Sequence, residues 1–280
     1  MPKLSVISGA YNVGRYYSLD KSIKSVLSQT FSDFEFIICN DGSADDTASI
    51  LSEYAAKDPR IKILSNEKNL GLAATLNKCI EASVGDYVVR HDLDDYNAPE
   101  RFAKQLEFME SHPEIAILGT QVYLFDENGV WGEENFPTDV QKKDFLFTSP
   151  YKHGSVMIRR DALLAVGGYR VAPETYRTED YDMFMSLKTL YDGANIEDRL
   201  YYFCEDKAAR KRRKYKYRID EAKVRYRGFK KLGLLPRGIF YVIKPLIVGL
   251  IPTFLLEKLK DKHGRRKKTN NKTNSEFQND

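Results

Sequence analysis

The sequence contains an acidic cluster, Asp92-Leu93-Asp94-Asp95, directly after the apolar run Tyr87–Val89. Three carboxylates within four residues repel one another, which costs stability unless a cation or hydrogen-bond donors neutralise them. Mg²⁺ and Mn²⁺ take oxygen ligands and are commonly held by one or two carboxylates together with substrate phosphates. The cluster therefore predicts a metal–diphosphate site, with Asp92 and Asp94 available to ribose and metal. A solvated acidic loop that caps the next helix is the alternative.

A second acidic cluster, Thr178-Glu179-Asp180-Tyr181-Asp182, begins a predicted helix. Acidic residues in the first turn are favoured by the helix dipole, so an ordinary helix start is one interpretation. A carboxylate beside an acceptor hydroxyl can also take its proton as the oxygen attacks, so a general base is the other. The residues by themselves leave both interpretations open.

Two loops follow predicted strands with residues suited to a nucleoside. Asn40-Asp41-Gly42-Ser43 follows Phe34–Cys39, and Gly9-Ala10-Tyr11-Asn12 ends the first strand. A carboxylate at a sheet edge can accept the N–H of a uracil or thymine ring, and glycine lets the nucleoside approach the backbone. An ordinary turn with a helix cap is the alternative. His153 and the stretch Gly167–Arg170 are weaker candidates, since a lone histidine and a Gly-Gly after a helix are commonly structural.

Short apolar runs alternate with helical patterns through the first 120 residues. The predicted strands are Leu4–Ser8, Phe34–Cys39, Ile61–Leu64, Tyr87–His91 and Ile115–Gly119, separated by four helices. This alternation predicts βαβ units and a parallel sheet, whose strands all end along the ligand-binding edge. A hairpin at Asn128-Gly129, a helix near Val140–Phe147, a strand at Ser155–Ile158, a helix over Glu179–Leu190 and a strand at Arg199–Phe203 are predicted to follow.

Composition and charge divide the chain. Its 280 residues are 42% hydrophobic, which excludes global disorder, and its three cysteines without a CxxC argue against a disulfide framework or a zinc site. Residues 207–280 hold 23 basic and 6 acidic residues, a net charge of +17, whereas residues 1–206 carry −13. We therefore predict a body over residues 1–206, a basic and apolar extension over 207–263, and a disordered tail over 264–280.

The extension contains an apolar stretch, Ile239–Leu256, that is interrupted by a lysine, a glycine and two prolines and flanked by basic clusters. A spanning helix needs about 20 residues, normally without such interruptions. Lys and Arg beside an apolar surface segment favour anionic lipid. We expect an interfacial attachment to an anionic membrane surface and no nucleic-acid partner. A re-entrant hairpin and packing into the core are the alternatives.

Taken together, six ordered segments resemble the inverting family 2 glycosyltransferases with the GT-A fold. They are Leu4–Asn12, Asn40–Thr47, Asn69–Leu76, Arg90–Gln105, His153–Arg170 and Thr178–Leu187, within residues 3–205. The resemblance implies an α/β fold with a Rossmann-like, mostly parallel sheet. It also implies that the donor is bound by Ala10, Asn12, Asp41, Arg90 and Asp92, and that Mn²⁺ or Mg²⁺ is bound by Asp94 and Asp92. Asp180 would be the catalytic base, with Glu179 beside it. Contacts with the acceptor or a phosphate are implied for His153, Gly168 and Arg170.

The resemblance further implies transfer of a sugar, with inversion, from a nucleotide-sugar donor to a saccharide on polyprenyl diphosphate, at the cytoplasmic face of the cell membrane. UDP is the default nucleotide, and dTDP is an alternative. The Gln-x-x-Arg-Trp motif of processive synthases is absent, since the only tryptophan is Trp131, so a single transfer is expected. Position 91 is His where relatives usually carry Met or Gln. A non-catalytic protein that binds anionic lipid or nucleic acid is the competing hypothesis.

Overall fold

The computed structural model describes residues 1–14, 16–205 and 215–250. Its strands are β1 (Leu4–Ala10), β2 (Phe34–Asn40), β3 (Ile61–Ser65), β4 (Tyr87–Arg90), β5 (Tyr96–Asn97), β6 (Ile115–Asp126), β7 (Gly129–Glu134), β8 (Met157–Arg159) and β9 (Asp192–Cys204). Its helices are α1 (Leu19–Leu27), α2 (Thr47–Lys57), α3 (Leu72–Ala82), α4 (Arg101–Ser111), α5 (Arg160–Ala165), α6 (Glu179–Lys188), α7 (Tyr215–Leu232) and α8 (Ile239–Leu250). Short 3₁₀ helices cover Lys142–Leu146, His153–Ser155 and Pro173–Thr175.

The strands form one mixed sheet in the order β3-β2-β1-β4-β8-β6-β9-β5, with β7 paired to β6. The parallel pairing predicted for β1 to β4 is confirmed. Because β8 runs antiparallel to both β4 and β6, strand β6 points the same way as β4, and β9 runs parallel to β6. The prediction that β6 follows β4 through another parallel crossover missed β8, which inserts between them.

Each face of the sheet carries its own apolar core. On one face, Ile7, Ile37 and Val88 pack with α3, α6 and α7. On the other, alternate strand residues such as Val6 and Phe36 pack with α1 and α4. Successive side chains of a strand point to opposite faces, so strands covered by helices on both sides are apolar throughout. This layering holds the carboxyl ends of β1, β2 and β4 side by side.

Several elements of the second half differ from prediction. Strand β6 runs unbroken through Gly119, and β9 starts seven residues before the predicted Arg199 because it pairs along most of β6. The predicted helix near Val140–Phe147 is a 3₁₀ helix. The two-residue strand β5 was not predicted, since a strand this short leaves no periodic signal in the sequence.

The basic helix α7 packs against α6 and shares its core. Val224, Phe229 and Leu232 are buried in the cluster that contains Phe184 of α6. The Arg225 guanidinium donates to the backbone carbonyls of Leu146 and Phe147, at 3.0 and 3.3 Å. Residues 215–232 of the predicted extension therefore pack against the predicted body.

Helix α8 buries one side and exposes an apolar one. Val242 and Pro245 are buried, which confirms core packing for this side of the apolar stretch. Phe240, Ile247 and Leu250 are 65%, 52% and 73% exposed on the opposite side. No helix within the described residues is long and apolar enough to span a membrane. Residues 251–280, including the predicted tail, lie outside the described part.

Candidate active site

The first acidic cluster follows β4 at the sheet edge, and Arg90 fixes its first carboxylate. The Arg90 guanidinium is 1% exposed and donates to Asp92 Oδ1 and to the His91 carbonyl. Burial acts to raise the pKa of Asp92, but the charges of Arg90 and its neighbours outweigh it, so the pKa is lowered. Arg90, predicted to contact the donor, lies behind Asp92 and orients it.

Asp95, the third acid of the cluster, is fully buried and serves the fold. Its carboxylate accepts hydrogen bonds from the Tyr201 hydroxyl and the Cys204 amide, both at 2.7 Å, and so ties the loop to β9. Burial, together with the nearby charges of Asp94 and Asp92, raises its pKa. The same Tyr201 oxygen accepts from the Asp92 amide at 3.2 Å. One tyrosine therefore connects two members of the cluster.

The side chain of His91 points into the core and not toward the edge. Its Nε2 lies 2.8 Å from Ser22 Oγ, and its Nδ1 lies 3.2 Å from Asn97 Nδ2. Burial, assisted by the charge of Arg101, lowers its pKa to about 3, so the imidazole is neutral. Its departure from the family pattern is therefore accommodated beneath the site.

The predicted nucleoside residues lie where β1 and β2 end. Asp41 is buried, and its carboxylate accepts from Asn66 Nδ2 and from the amides of Leu70 and Gly71, at 2.8 to 2.9 Å. Ala10, also buried, accepts the Asp41 amide through its carbonyl at 2.8 Å. Asp41 thus fastens the loop before α3 to the sheet edge.

Asn12 connects the two strand-end loops. Its side-chain oxygen accepts from the Ala44 amide, and its own amide donates to Ser43 Oγ, each at 3.0 Å. Asn12 adopts a φ of 52°, a left-handed conformation that asparagine tolerates better than most residues. A depression of about 510 Å³ is lined by Asn12, Gly14, Ala44, Asp45 and Asp46.

The second acidic cluster begins α6, as predicted. Burial, together with the charge of Asp180, raises the pKa of Glu179 to about 7, while backbone N–H groups of Glu179 and Arg177 oppose the shift. Within the described residues, no group donates a hydrogen bond to the Asp180 carboxylate. The oxygens of the Asp180 carboxylate are therefore not occupied by donors from the described residues.

His153 and Tyr169 form a hydrogen-bonded pair, and carboxylates of both acidic clusters influence their pKa values. His153 Nε2 is 2.7 Å from the Tyr169 hydroxyl. Burial lowers the pKa of His153 to about 4 and the Arg90 charge adds to this, whereas Asp180 and Asp92 oppose it. The pKa of Tyr169 is raised mainly by burial, with contributions from the same two carboxylates. Asp92 and Asp180 therefore act on one shared pair of side chains.

The Gly-Gly turn positions Tyr169. Gly168 has a φ of 65°, and a β-carbon there would lie 2.6 Å from Asn77 Oδ1. Asn77 accepts the Tyr169 amide at 2.8 Å and donates to its carbonyl at 2.7 Å, so α3 holds the turn. Tyr169 lies within the candidate stretch Gly167–Arg170 but was given no role of its own. Asn77 was not predicted, because a single amide in a helix carries no distinctive spacing.

Arg170, predicted as an acceptor or phosphate contact, is engaged within the chain. Its guanidinium pairs with both oxygens of Asp182, at 3.1 and 3.2 Å, and with Glu174 at 2.6 Å. Asp182 is only 5% exposed. This bidentate pair attaches the Gly-Gly turn to the first turn of α6, next to Asp180.

A metal at this edge would have few protein ligands. Among the described residues, no three His, Cys, Asp or Glu side chains converge as a metal-binding group. Mg²⁺ or Mn²⁺ bound through substrate phosphates needs only one or two carboxylates. Asp92, with one oxygen turned to Arg90, and Asp94, on the wall of a cavity of about 850 Å³, fit that requirement.

The chain is similar to known glycosyltransferases along most of its length. EpsE of Bacillus subtilis (strain 168), named as a glycosyltransferase, is 38% identical over 259 residues, which are 92% of each chain. A UDP-Gal:alpha-D-GlcNAc-diphosphoundecaprenol beta-1,3-galactosyltransferase of Escherichia coli is 29% identical over 260 residues, covering 90% of this chain and 93% of that protein. Amylovoran biosynthesis glycosyltransferase AmsE of Erwinia amylovora is 29% identical over 266 residues, covering 92% and 98%.

Solved structures show the same fold. S. aureus TarS 1–349 in complex with UDP-GlcNAc superposes with a TM-score of 0.69 at 19% identity, covering 86% of this chain and 73% of that one. Mannosyltransferase PcManGT from Pyrobaculum calidifontis, in complex with GDP-Man and Mn²⁺, has a TM-score of 0.60 at 16% identity, covering 94% and 80%. Residues 5–170 match the family description "Glycosyl transferase family 2". Since this match covers more than half of the chain, the chain belongs to glycosyl transferase family 2.

Proposed function

We propose that this protein transfers one sugar from a nucleotide-sugar donor, with inversion, to a hydroxyl of a saccharide carried on polyprenyl diphosphate. The observation that carries the proposal is that the two acidic clusters adjoin one cavity, since Asp94 of the first cluster lines it together with Thr178 and Tyr181, which flank Glu179 and Asp180. A site that places a diphosphate-side carboxylate near a base suits sugar transfer from a nucleotide diphosphate. A non-catalytic binding protein has no need of this arrangement.

Asp180 is the base in this proposal, and Glu179 is its neighbour. The acceptor oxygen attacks the anomeric carbon as its proton moves to Asp180, and the bond from that carbon to the diphosphate oxygen breaks. A single displacement from the face opposite the leaving group inverts the configuration. The Asp180 carboxylate suits this role because no described residue donates a hydrogen bond to it.

The donor would lie along the strand ends. Ala10, Asn12 and Asp41 would line the nucleoside site, where the Asp41 carboxylate retains about one of its four acceptor positions besides those used by its three donors. Asp94 and Asp92 would hold a Mn²⁺ or Mg²⁺ ion, which stabilises negative charge on a departing diphosphate. The TarS complex with UDP-GlcNAc supports a UDP-sugar as the donor.

The acceptor is proposed from the relatives and from α8. The diphosphoundecaprenol in the name of the E. coli relative supports a lipid-linked acceptor, and AmsE supports a role in surface polysaccharide synthesis. The exposed apolar side of α8, formed by Phe240, Ile243, Ile247 and Leu250, lies beside the exposed cations Arg237 and Lys244. Apolar and basic groups together favour the surface of an anionic bilayer. None of the three cysteines forms a disulfide, which fits the reducing cytoplasmic side.

A donor-hydrolysis screen tests the proposed activity. Purified protein is incubated with UDP-, dTDP- and GDP-sugars, with Mn²⁺ or with EDTA, and release of the nucleotide is measured. We expect metal-stimulated hydrolysis of at least one UDP-sugar, and loss of this activity in Asp180→Asn. If no nucleotide sugar is bound or hydrolysed, the non-catalytic hypothesis replaces this one.

Vesicle sedimentation tests the membrane surface separately. We expect the wild-type protein to pellet with phosphatidylglycerol vesicles more than with phosphatidylcholine vesicles, and the double variant Phe240→Ser/Ile247→Ser to remain in solution. Ile219→Ser is the matched control, because Ile219 is exposed on the neighbouring α7. Equal sedimentation of the double variant and the wild type would exclude α8 as the attachment.

A further inference from the structure

A cavity of about 850 Å³ extends from the acidic loop to the basic helix α7. Asp94 lies on its wall, as do Arg177, Thr178 and Tyr181 around the start of α6. Tyr217 and Arg218 of α7 are also on the wall. The carboxylates of Glu179 and Asp180 are not on this wall, although the residues on either side of them are. The cavity therefore adjoins the segment of α6 that carries the proposed base.

Of the four basic residues on this wall, three form ion pairs with acids. Lys152 pairs with Glu134 at 2.6 Å. Arg218 and Arg225 both pair with Glu221, at 3.1 and 3.0 Å. Within the part of the chain that the structure describes, Arg177 has no acidic partner and its guanidinium makes no hydrogen bond. Arg177 is therefore the cavity cation whose donors remain available to an anion.

Arg177 is held in place by two tyrosines. Its guanidinium carbon lies 5.9 Å from the ring centre of Tyr176 and 5.2 Å from that of Tyr217, and the two rings are 5.5 Å apart. The backbone of Arg177 has a φ of 70°, a left-handed conformation that is rare for a long side chain and commonly marks a functional site. Contacts with the two rings restrict the guanidinium, and no acid or acceptor among the described residues occupies its N–H groups.

The end of α8 lies against a residue that lines the cavity. A β-carbon at Gly249 would lie 2.9 Å from both the Arg218 side chain and the Tyr215 ring, so α8 ends against the first turn of α7. Arg218 also lines the cavity, and Leu250 is exposed one residue later. An amphiphile could therefore place its anionic group in the cavity and its hydrocarbon along α8.

We infer that this cavity is the acceptor subsite and that Arg177 binds a phosphate oxygen of the acceptor's diphosphate. The inference rests on the proposed function and names the residue that recognises its acceptor. A planar guanidinium matches two phosphate oxygens at once, and such charge-assisted pairs are stronger than neutral hydrogen bonds. The base on α6, three residues along the chain, then lies next to the sugar attached to this diphosphate.

Calorimetric titration of the full-length protein with geranyl diphosphate and with geraniol tests the assignment. EDTA is present, so that no metal can recruit the diphosphate to Asp94. We expect the wild type to bind geranyl diphosphate at least about ten-fold more tightly than geraniol, and Arg177→Gln to lose about ten-fold of this affinity. Arg227→Gln is the matched control, because it removes the same charge from an exposed position of α7 outside the cavity; it should change the affinity by less than about two-fold.

A second variant guards against misfolding, and a second ligand distinguishes the acceptor from the donor. Arg177→Gly suits the left-handed backbone and should lose the same affinity while melting no earlier than the wild type. UDP affinity in the presence of Mn²⁺ should stay unchanged in every variant. Equal losses in the Arg177 and Arg227 variants, or a loss of UDP affinity alone, would overturn the assignment. If no nucleotide sugar is hydrolysed but geranyl diphosphate binding depends on Arg177, the result contradicts the proposed function and supports the anion site at Arg177.

Discussion

The two acidic clusters of this protein divide their carboxylates in the same way. In Asp92–Asp95, the buried Asp95 holds the loop to β9 through Tyr201. In Glu179–Asp182, the buried Asp182 holds α6 to the Gly-Gly turn through Arg170. Asp94 of the first cluster and Thr178 and Tyr181 of the second line one cavity. In each cluster, therefore, one buried acid stabilises the fold, and other members are available to the site.

The clusters differ in how firmly the chemical members are fixed. Asp92 is bound to a buried arginine, and its amide donates to Tyr201. Asp180 receives no hydrogen bond from the described residues and stands at a helix start that follows a strained residue, Arg177. A carboxylate that positions a diphosphate gains from rigidity, whereas a base must keep its lone pairs for the incoming proton. The difference therefore corresponds to the two proposed roles.

The largest effect is expected from Asp180→Asn. Losing a general base lowers turnover by about 10²–10⁴-fold, and the isosteric amide should leave UDP affinity and the melting temperature unchanged. Single-turnover transfer and UDP titration measure the two properties separately. Glu179→Gln should reduce turnover far less. A reversal of this order would make Glu179 the base.

Asp94→Asn tests the proposed donor role of the first acidic cluster. We expect the gain in UDP affinity that Mn²⁺ produces to fall by at least about ten-fold, because losing a ligand costs at least what losing an outer-shell partner does. Titrations with Mn²⁺ and with EDTA isolate this gain. Glu133→Gln is the control, since Glu133 lines the same cavity but pairs with Arg199 at 3.0 Å. Loss of the Mn²⁺ effect in both variants would indicate a general charge effect and not ligation.

Asp182→Ala should act on stability. Breaking a buried ion pair costs about 3–5 kcal/mol, and the remaining pair with Glu174 together with the partial exposure of Arg170 reduces this to about 2–3 kcal/mol. The melting temperature should fall by several degrees. Asp192→Ala, which removes an exposed partner of Lys188 at the other end of α6, should change stability by less than about 1 kcal/mol. Similar losses in both variants would contradict a scaffold role for Asp182.

The N-terminal half was predictable because its signals are local. Alternating apolar runs and turn residues mark β1 to β4, and the carboxyl ends of parallel strands must share an edge, so Asp41 and Asp92 could be assigned to one side. The second half depends on pairing between distant segments. Strand β8 inserts between β4 and β6, and no local pattern announces that insertion.

The sequence predicted which residue types lie at the site, but it did not predict the contacts that surround them. Asp92, Asp94 and Asp180 were chosen because they are acidic and follow strands or begin helices, and the structure brings their clusters together. The sequence could not show that Arg90 and Arg170 are engaged by neighbouring carboxylates, because this depends on which side chains meet across the fold. The sequence likewise could not show that Arg225 of the basic helix α7 donates to the backbone of the body, whereas most of its basic neighbours on the same helix are solvated.

The smallest expected effect is that of Glu179→Gln. It tests the contrast between carboxylates that are fixed by partners and carboxylates that are not. Burial, with the charge of Asp180, raises the pKa of Glu179 from 4.5 to about 7 in the folded protein. Between these values the folded state binds more protons than the unfolded one, so this group's contribution to stability falls as pH rises from about 4.5 to about 7. Glutamine does not titrate, so the stability of Glu179→Gln relative to the wild type should rise across this window.

Thermal melts at pH 5 and pH 8 measure this change, which should be about 1 kcal/mol after solvent screening, or a few degrees in melting temperature. Glu174→Gln is the control, because pairing with Arg170 lowers the pKa of Glu174, and its contribution is already constant above pH 5. A difference between Glu179→Gln and the wild type that stays flat over the same range would mean that Glu179 is solvated like a surface acid. The crowding of two carboxylates at the start of α6 would then no longer support a paired acid site.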